Sequence, residues 1–238
     1  MQSFSNSQAS AGHPGYKPRR HGCLGLILPI LLTLLLLSPA AFAQDSKSDL
    51  ETLLTGIEKC YSGKDFSAAF FQRSRLAAID ITETANGRAF FSHPGKMRWE
   101  YLEPEKHEII TNGTTLWIFR PDDNQVVQGE ARTFFKTGAG GAFLSDIRLV
   151  RKDYTITLGR SDNGVAELLL VPKQENPEIS TIKIRLFQAT FKIDRVETTN
   201  IYGDTTTLEF MDIDFRKLDP ALFDFVVPQG TDLLFMDR

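Results

Sequence analysis

The side chains with reactive chemistry to offer are few. The chain has four histidines, His13, His21, His93 and His107, and two cysteines, Cys23 and Cys60. A hydrolase or transferase needs a nucleophile beside a base, a cluster of metal ligands, or two carboxylates facing one cleft. His93 falls in a turn before Pro94, and His107 falls at the start of a strand. Neither has acidic or cysteine neighbours at metal-ligand spacing. Glu103 and Glu105 flank a turn proline and read as a solvated corner. Asp212 and Asp214 share one face of a strand and read as solvent-facing. No G-x-S-x-G, H-E-x-x-H, phosphate-cradling glycine loop or paired C-x-x-C occurs. These residues point away from an enzyme, a metal centre or a bound cofactor.

The chemistry that remains is that of aromatic and aliphatic surfaces. Within the stretch 88–121, Met97, Trp99 and Tyr101 alternate with Lys96, Arg98 and Glu100. Side chains alternate across a strand, so this pattern gives one apolar and one polar face. His93-Pro94-Gly95 supplies the preceding turn, and Glu103-Pro104-Glu105 ends the strand. Strands over 108–111 and 116–120 follow, joined by Asn112-Gly113, a strong hairpin signal. Trp99 shares a face with Met97, whereas Trp117 shares one with Phe119. Phe70, Phe91 and Phe210 stand at comparable strand positions.

These residues need a scaffold, and strands dominate it. Phe66, Ala68 and Phe70 alternate in a long strand over 66–79, and Asn86-Gly87 lies between it and the central block. Further strands are expected over 124–129, 154–158, 165–171, 179–187, 191–199 and 205–215. Before them, Ser48 and Glu51 have capping-box spacing. Leu50, Leu53, Leu54, Ile57 and Tyr61 then recur at helical intervals up to Gly63. The expected architecture is mainly β with helices: one curled, incomplete antiparallel barrel of about ten or eleven strands behind an N-terminal helix. Such a barrel offers an apolar interior; a fully packed core fits the same pattern. Cys60 reads as a small buried residue near the last apolar turn of the helix.

One segment interrupts the strands. Phe134 and Phe135 precede the glycine joint Thr137-Gly138-Ala139-Gly140-Gly141, and 142–149 can form a short helix with Phe143, Leu144 and Ile147 on one side. A glycine-jointed apolar segment of this kind suits a lid over the mouth of the sheet. An ordinary connector packed on the core is the competing reading. The tail over 219–230 has no helical period and is expected to run extended along the body.

The start of the chain reads as a leader. Lys17, Arg19 and Arg20 precede an apolar run over 24–37, and Ala41-Phe42-Ala43 offers a small-x-small cleavage site before Gln44. The run is about 14 residues, short of the ~20 that span a bilayer. A cleaved signal peptide over 1–43 and a single domain over 44–238, exported to the periplasm, are therefore expected. The flanks of Arg19-Arg20 fit a twin-arginine signal poorly, and Cys23 starts the apolar run, where a lipidated cysteine would end one. Cleavage removes three of the 27 cations and none of the 30 acids, leaving a net charge of −6. That balance argues against a nucleic-acid partner. With Cys60 alone, the exported chain has no intramolecular disulfide and depends on its core.

The run of Pro94-Gly95-Lys96-Met97-Arg98-Trp99-Glu100-Tyr101, then Pro104, then Asn112-Gly113 and Leu116-Trp117, resembles the centre of the periplasmic lipoprotein carrier family, LolA. The similarity extends to Phe66, Ala68, Phe70 and Gln72 in the first strand, and to Phe223, Phe225, Pro228 and Gly230 in the tail. It implies an incomplete antiparallel barrel under a helical lid. Its cavity would hold the acyl chains of lipoproteins or other acylated cargo. It also implies two partners: an inner-membrane ABC transporter that releases lipoproteins and an outer-membrane acceptor that takes them. On this resemblance Phe70, Phe91, Met97, Trp99, Trp117 and Phe210 line or border the cavity, and Phe143 and Leu144 cover it. The family commonly has an arginine before the turn proline, where it helps hold the lid shut; here the position is His93. His93 is thus the candidate lid lock, with Arg88 or Arg98 as substitutes. The related outer-membrane acceptor is itself lipidated, and here Gln44, not a cysteine, stands directly after the leader. A sensor domain of the same fold is the alternative to a soluble, monomeric carrier.

Overall fold

The computed structural model describes residues 40–136, 144 and 148–236. The chain divides after Ser38, and all described residues belong to the second unit. Helix α1 covers Ala40–Tyr61. It begins eight residues before the expected cap at Ser48, so the capping box lies inside the helix, and the Ser48 carbonyl accepts a bond from Thr52 Oγ1 at 2.9 Å. Alanine is the best helix former and elongation costs little once a turn exists, so the helix extends back through Ala40 and Ala41. Its end is as expected: Gly63 adopts φ +69°, a conformation that suits glycine, just past the last turn.

Strands β1 (Asp65–Leu76) and β2 (Ile81–Ser92) form one long hairpin. β3 (Lys96–Glu103), β4 (His107–Asn112), β5 (Thr115–Arg120) and β6 (Gln125–Glu130) continue as a meander, followed by α2 (Ala131–Lys136). After α3 (Arg148–Asp153) come β7 (Tyr154–Asp162), β8 (Val165–Pro172), β9 (Thr181–Phe187), β10 (Ile193–Thr199) and β11 (Thr205–Asp214). A 3-10 turn, Pro220–Phe223, leads to β12 (Asp232–Phe235). The twelve strands of the described residues form one sheet in the order β12-β6-β5-β4-β3-β2-β1-β11-β10-β9-β8-β7. The sheet is open, with β12 and β7 at its edges.

Two expectations are corrected. Asn86-Gly87 is no connector; it is a bulge within β2, where the pairing with β3 shifts register. A Cβ on Gly87 would lie 2.0 Å from the Glu100 carbonyl oxygen and 2.9 Å from the Phe70 ring, so only glycine fits between them. The second correction concerns the last strand. β12 pairs with β6 in parallel, so the sheet is antiparallel everywhere except at this edge, and it has one strand more than expected. The tail before β12 does run along the body.

The core occupies the concave face. Leu53, Leu54, Ile57 and Tyr61 of α1 join one hydrophobic cluster with residues of β1, β2, β3, β8, β9, β10 and β11. The Tyr61 hydroxyl accepts a bond from the Ile193 amide at 2.8 Å, which fixes the end of α1 against β10. A smaller cluster of Phe90, Leu218 and Phe223 lies on the opposite face, where the tail covers the sheet. There Arg98 bonds the Leu222 carbonyl at 3.3 Å, and Asp65 accepts from the Leu218 amide at 2.9 Å.

Candidate functional site

Register decides which aromatic residues meet. Phe70 of β1 pairs with Phe210 of β11, and Trp99 of β3 pairs with Ala89 of β2 and Ile109 of β4. Paired residues put their side chains on one face of a sheet. Trp99 accordingly sits at the centre of a cluster on the concave face. Its ring lies 4.8 Å from Phe70 and 5.7 Å from Phe91, both edge-on, and 6.1 Å from Phe210. Such edge-to-face pairs contribute about 0.5–1.5 kcal/mol each beyond their buried area. Met97, two residues before Trp99, is fully buried in the same cluster. Phe66 extends the patch by stacking on Phe91 at 4.5 Å.

The patch has a polar margin. Tyr101 stands 5.0 Å from Phe70, and its hydroxyl donates to Gln72 Oε1 at 2.9 Å. Burial pushes its pKa up to about 12. His107 stacks on Tyr101 at 4.0 Å, with Nδ1 at 3.2 Å from the Glu105 carbonyl. Burial pulls the His107 pKa below the ordinary histidine value, although the Glu105 carbonyl acts the other way. Among the described residues no three His, Cys, Asp or Glu converge as metal ligands. Cys60 is half-buried, and burial raises its pKa against the opposing pull of Lys64 and Lys192, so the thiolate is disfavoured.

Trp117 is not part of this patch. It pairs with Ile110, which pairs with Arg98, and that row lies on the face opposite Trp99. Phe225 of the tail covers it at 5.9 Å, and its indole Nε1 donates to Gln128 at 3.3 Å. Arg88 and Arg98 are on the outer face too. Arg88 lies over the Phe90 ring, and Arg98 pairs with Glu100 at 2.8 Å and Glu108 at 2.7 Å. Neither arginine points toward the interior, so neither substitutes for a lid lock. His93 is tied to the α1–β1 loop: its Nδ1 lies 3.0 Å from the Lys64 carbonyl, and its ring stacks on Phe66 at 6.2 Å.

The segment expected to form a lid is described in part. Leu144 lies in a 3-10 turn, buried in the same cluster as Trp99, and Val150 of α3 joins it. Phe143, the glycine joint, 142 and 145–147 lie outside the described residues, whereas 148–149 of the expected lid helix form the start of α3. Directly after this segment, Arg151 of α3 reaches α1, bonding Glu58 at 2.5 Å and Glu51 at 2.8 Å. That clamp gave no sequence signal, because its partners lie 93 and 100 residues away. Lys173 caps α3 by donating to the Arg151 and Lys152 carbonyls, each at 3.0 Å.

An open, curled sheet whose concave face carries an aromatic patch under a helix and a short covering segment defines a class of β half-barrels with an apolar interior. The chain belongs to the LolA family: residues 62–226 match the family described as outer membrane lipoprotein carrier protein LolA. It is 28% identical over 200 residues to the outer-membrane lipoprotein carrier protein of Cupriavidus pinatubonensis, covering 82% of this chain and 90% of that one. It is 24% identical over 206 residues to the protein of the same name from Azotobacter vinelandii, covering 86% and 98%. Among solved structures, an uncharacterized conserved protein from Thermus thermophilus has the same fold, with a TM-score of 0.52 and 14% identity over 79% of this chain and 99% of that one.

Proposed function

We propose that this chain is a periplasmic, monomeric carrier for the acyl chains of lipid-modified proteins. It takes them from an inner-membrane ABC transporter that releases lipoproteins and gives them up to an outer-membrane acceptor. The leader over 1–43 is removed after Ala43, and 44–238 acts as a single carrier domain. The protein performs no catalysis and uses no cofactor. The observation that carries this reading is the placement of Trp99: central in an aromatic patch and buried in one hydrophobic cluster with α1 and Leu144, in a member of the LolA family. The names of the two curated relatives support it.

The physical mechanism is an exchange of burial. In this structure Phe70, Phe91, Met97, Trp99, Phe210 and Leu144 are hidden from water, so the interior is closed. Burying one large apolar side chain contributes about 1.5–3 kcal/mol, and each buried methylene of a ligand about 0.8 kcal/mol. An acyl chain entering between the lid and the patch replaces protein–protein burial with protein–lipid burial. Phe143 and Leu144 leave the floor as it enters and return when it departs. The burial lost by the lid offsets part of the burial gained by the chain, so cargo is held less tightly than its own apolar area implies and can be surrendered to an acceptor.

The test uses the two tryptophans, which lie on opposite faces. Titration with a soluble acyl-chain ligand should blue-shift or quench emission in Trp117→Phe, where Trp99 is the reporter. The response should vanish in Trp99→Phe, where Trp117 is the reporter. A Trp99→Glu variant should lose binding, because a carboxylate in an apolar site is costly to bury. Equal responses from both reporters, or full affinity in Trp99→Glu, would mean that the concave face is only a packed core.

A further inference from the structure

Turns are usually built from glycine, proline, asparagine, aspartate and serine. Two turns at one end of this sheet also carry large apolar side chains that are exposed among the described residues. The β1–β2 hairpin presents Leu76, Ile79 and Ile81, with Ile79 62% exposed. The β10–β11 hairpin presents Ile201 and Tyr202, 58% and 72% exposed.

The two tips are fastened side by side. The Ala77 amide donates to Asp204 Oδ1 at 2.8 Å, and the position of a Cβ on Gly203 lies 3.6 Å from the Ala77 Cβ. Within its turn, Asn200 accepts from the Tyr202 and Asp204 amides, each at 2.9 Å, and donates to Asp204 Oδ2 at 2.9 Å. Arg75 and Asp80 pair at 2.7 Å across the other hairpin. The five apolar side chains are therefore held on an ordered, convex double tip. Residues 78–84 around the first tip are exposed, while the residues flanking the second tip, 197–200 and 204–207, are half-buried.

We propose that this double tip docks the protein on the interface of a neutral, zwitterionic lipid membrane. A convex apolar knob suits a surface that deforms around it. Tyr202, an amphipathic ring beside isoleucines, suits the boundary between headgroups and acyl chains. The charge pattern selects the lipid. Asp80, Glu83 and Asp204 lie on the two hairpins, and the Ile201 amide bonds the Pro177 carbonyl, which brings Glu178 alongside. Arg75 cancels the charge of its partner Asp80, and Arg73 lies over the Phe71 ring, so Glu83, Asp204 and Glu178 supply the acidic excess. Anionic headgroups would meet this acidic collar and be repelled. Docking by this end would bring the carrier onto a bilayer without using the cargo site.

The experiment places an environment-sensitive fluorophore on a single cysteine, in the full chain with Cys23→Ser and Cys60→Ser. One protein carries Tyr202→Cys. The other carries Phe187→Cys, at the far end of β9 from the tips and also exposed. With phosphatidylcholine vesicles the label at 202 should blue-shift and brighten about twofold or more, as an interfacial probe does, while the label at 187 should not. Raising the anionic lipid fraction should weaken the response. Ile79→Ser with Ile201→Ser should lower vesicle partition about tenfold, in line with the apolar area removed. Equal responses at both sites would overturn the proposal. So would a label at 202 that ignores protein-free vesicles but responds to a purified membrane protein; the tips would then be a protein-docking site. Binding of a soluble acyl ligand, measured in parallel, distinguishes this outcome from failure of the carrier reading, because the tips take no part in that binding.

Discussion

Arg151 joins the end of the covering segment to α1, so removing its charge should loosen the lid with little effect on the core. Its side chain is 33% exposed, as is that of Glu58, while Glu51 is 56% exposed. Solvent screening limits each such pair to about 0.5–1 kcal/mol, or about 1–2 kcal/mol for the two. If that energy holds the lid shut, Arg151→Met raises the open population about five- to thirtyfold, at 1.4 kcal/mol per factor of ten. The readout is the release rate of a fluorescent acyl ligand by stopped flow. It should rise by about that factor, while the melting temperature falls by about 2–4 °C for each kcal/mol lost. The charge-swapped pair Arg151→Glu with Glu58→Arg should recover part of the slow release. A lower melting temperature with unchanged release would refute the reasoning, since the clamp would then hold the fold and not the lid.

Three further outcomes follow from the geometry. If His93 locks the lid, His93→Arg should slow ligand exchange and His93→Ala should speed it; altered stability with equal exchange rates would leave His93 as the anchor of the Lys64 loop only. The folded-state pKa of His107 is depressed by burial, so its contribution to stability is complete above the unfolded value of about 6.5 and is lost as pH falls through the lower folded value. The melting temperature of the wild type should therefore drop more between about pH 7.5 and 5 than that of His107→Asn, and parallel curves would contradict this. Gly87→Ala should destabilise by about 1–3 kcal/mol, because its methyl group would meet the Glu100 carbonyl and the Phe70 ring; an unchanged denaturation midpoint would show that the bulge yields freely.

Much of the scaffold could be read from local patterns. Met97, Trp99 and Tyr101 alternate with charged residues, and that alone marked the floor of the concave face. Asn112-Gly113 marked its hairpin, where the Asn112 side chain accepts from the Thr114 and Thr115 amides. Trp117 misled for a physical reason. β5 carries apolar residues on both faces because the tail covers the outer one, so alternation could not tell inside from outside. Asn86-Gly87 looked like a turn, but glycine in a strand also marks a close backbone approach, and here it does. The pairing of β12 with β6 and the Arg151 clamp are long-range contacts that leave no local period. The start of α1 was misplaced because a capping box signals a helix start only when the preceding residues resist helix formation, and Ala40 and Ala41 do not.

The central claim is that the concave face carries acylated cargo. Its most direct measurement is mass spectrometry of protein purified from the periplasmic fraction without detergent. Wild type should retain lipid-modified protein or acyl lipid in near-stoichiometric amount, and Trp99→Glu, if folded by circular dichroism, should retain none. Wild type that emerges free of acylated material, or Trp99→Glu that carries as much as wild type, would contradict the account.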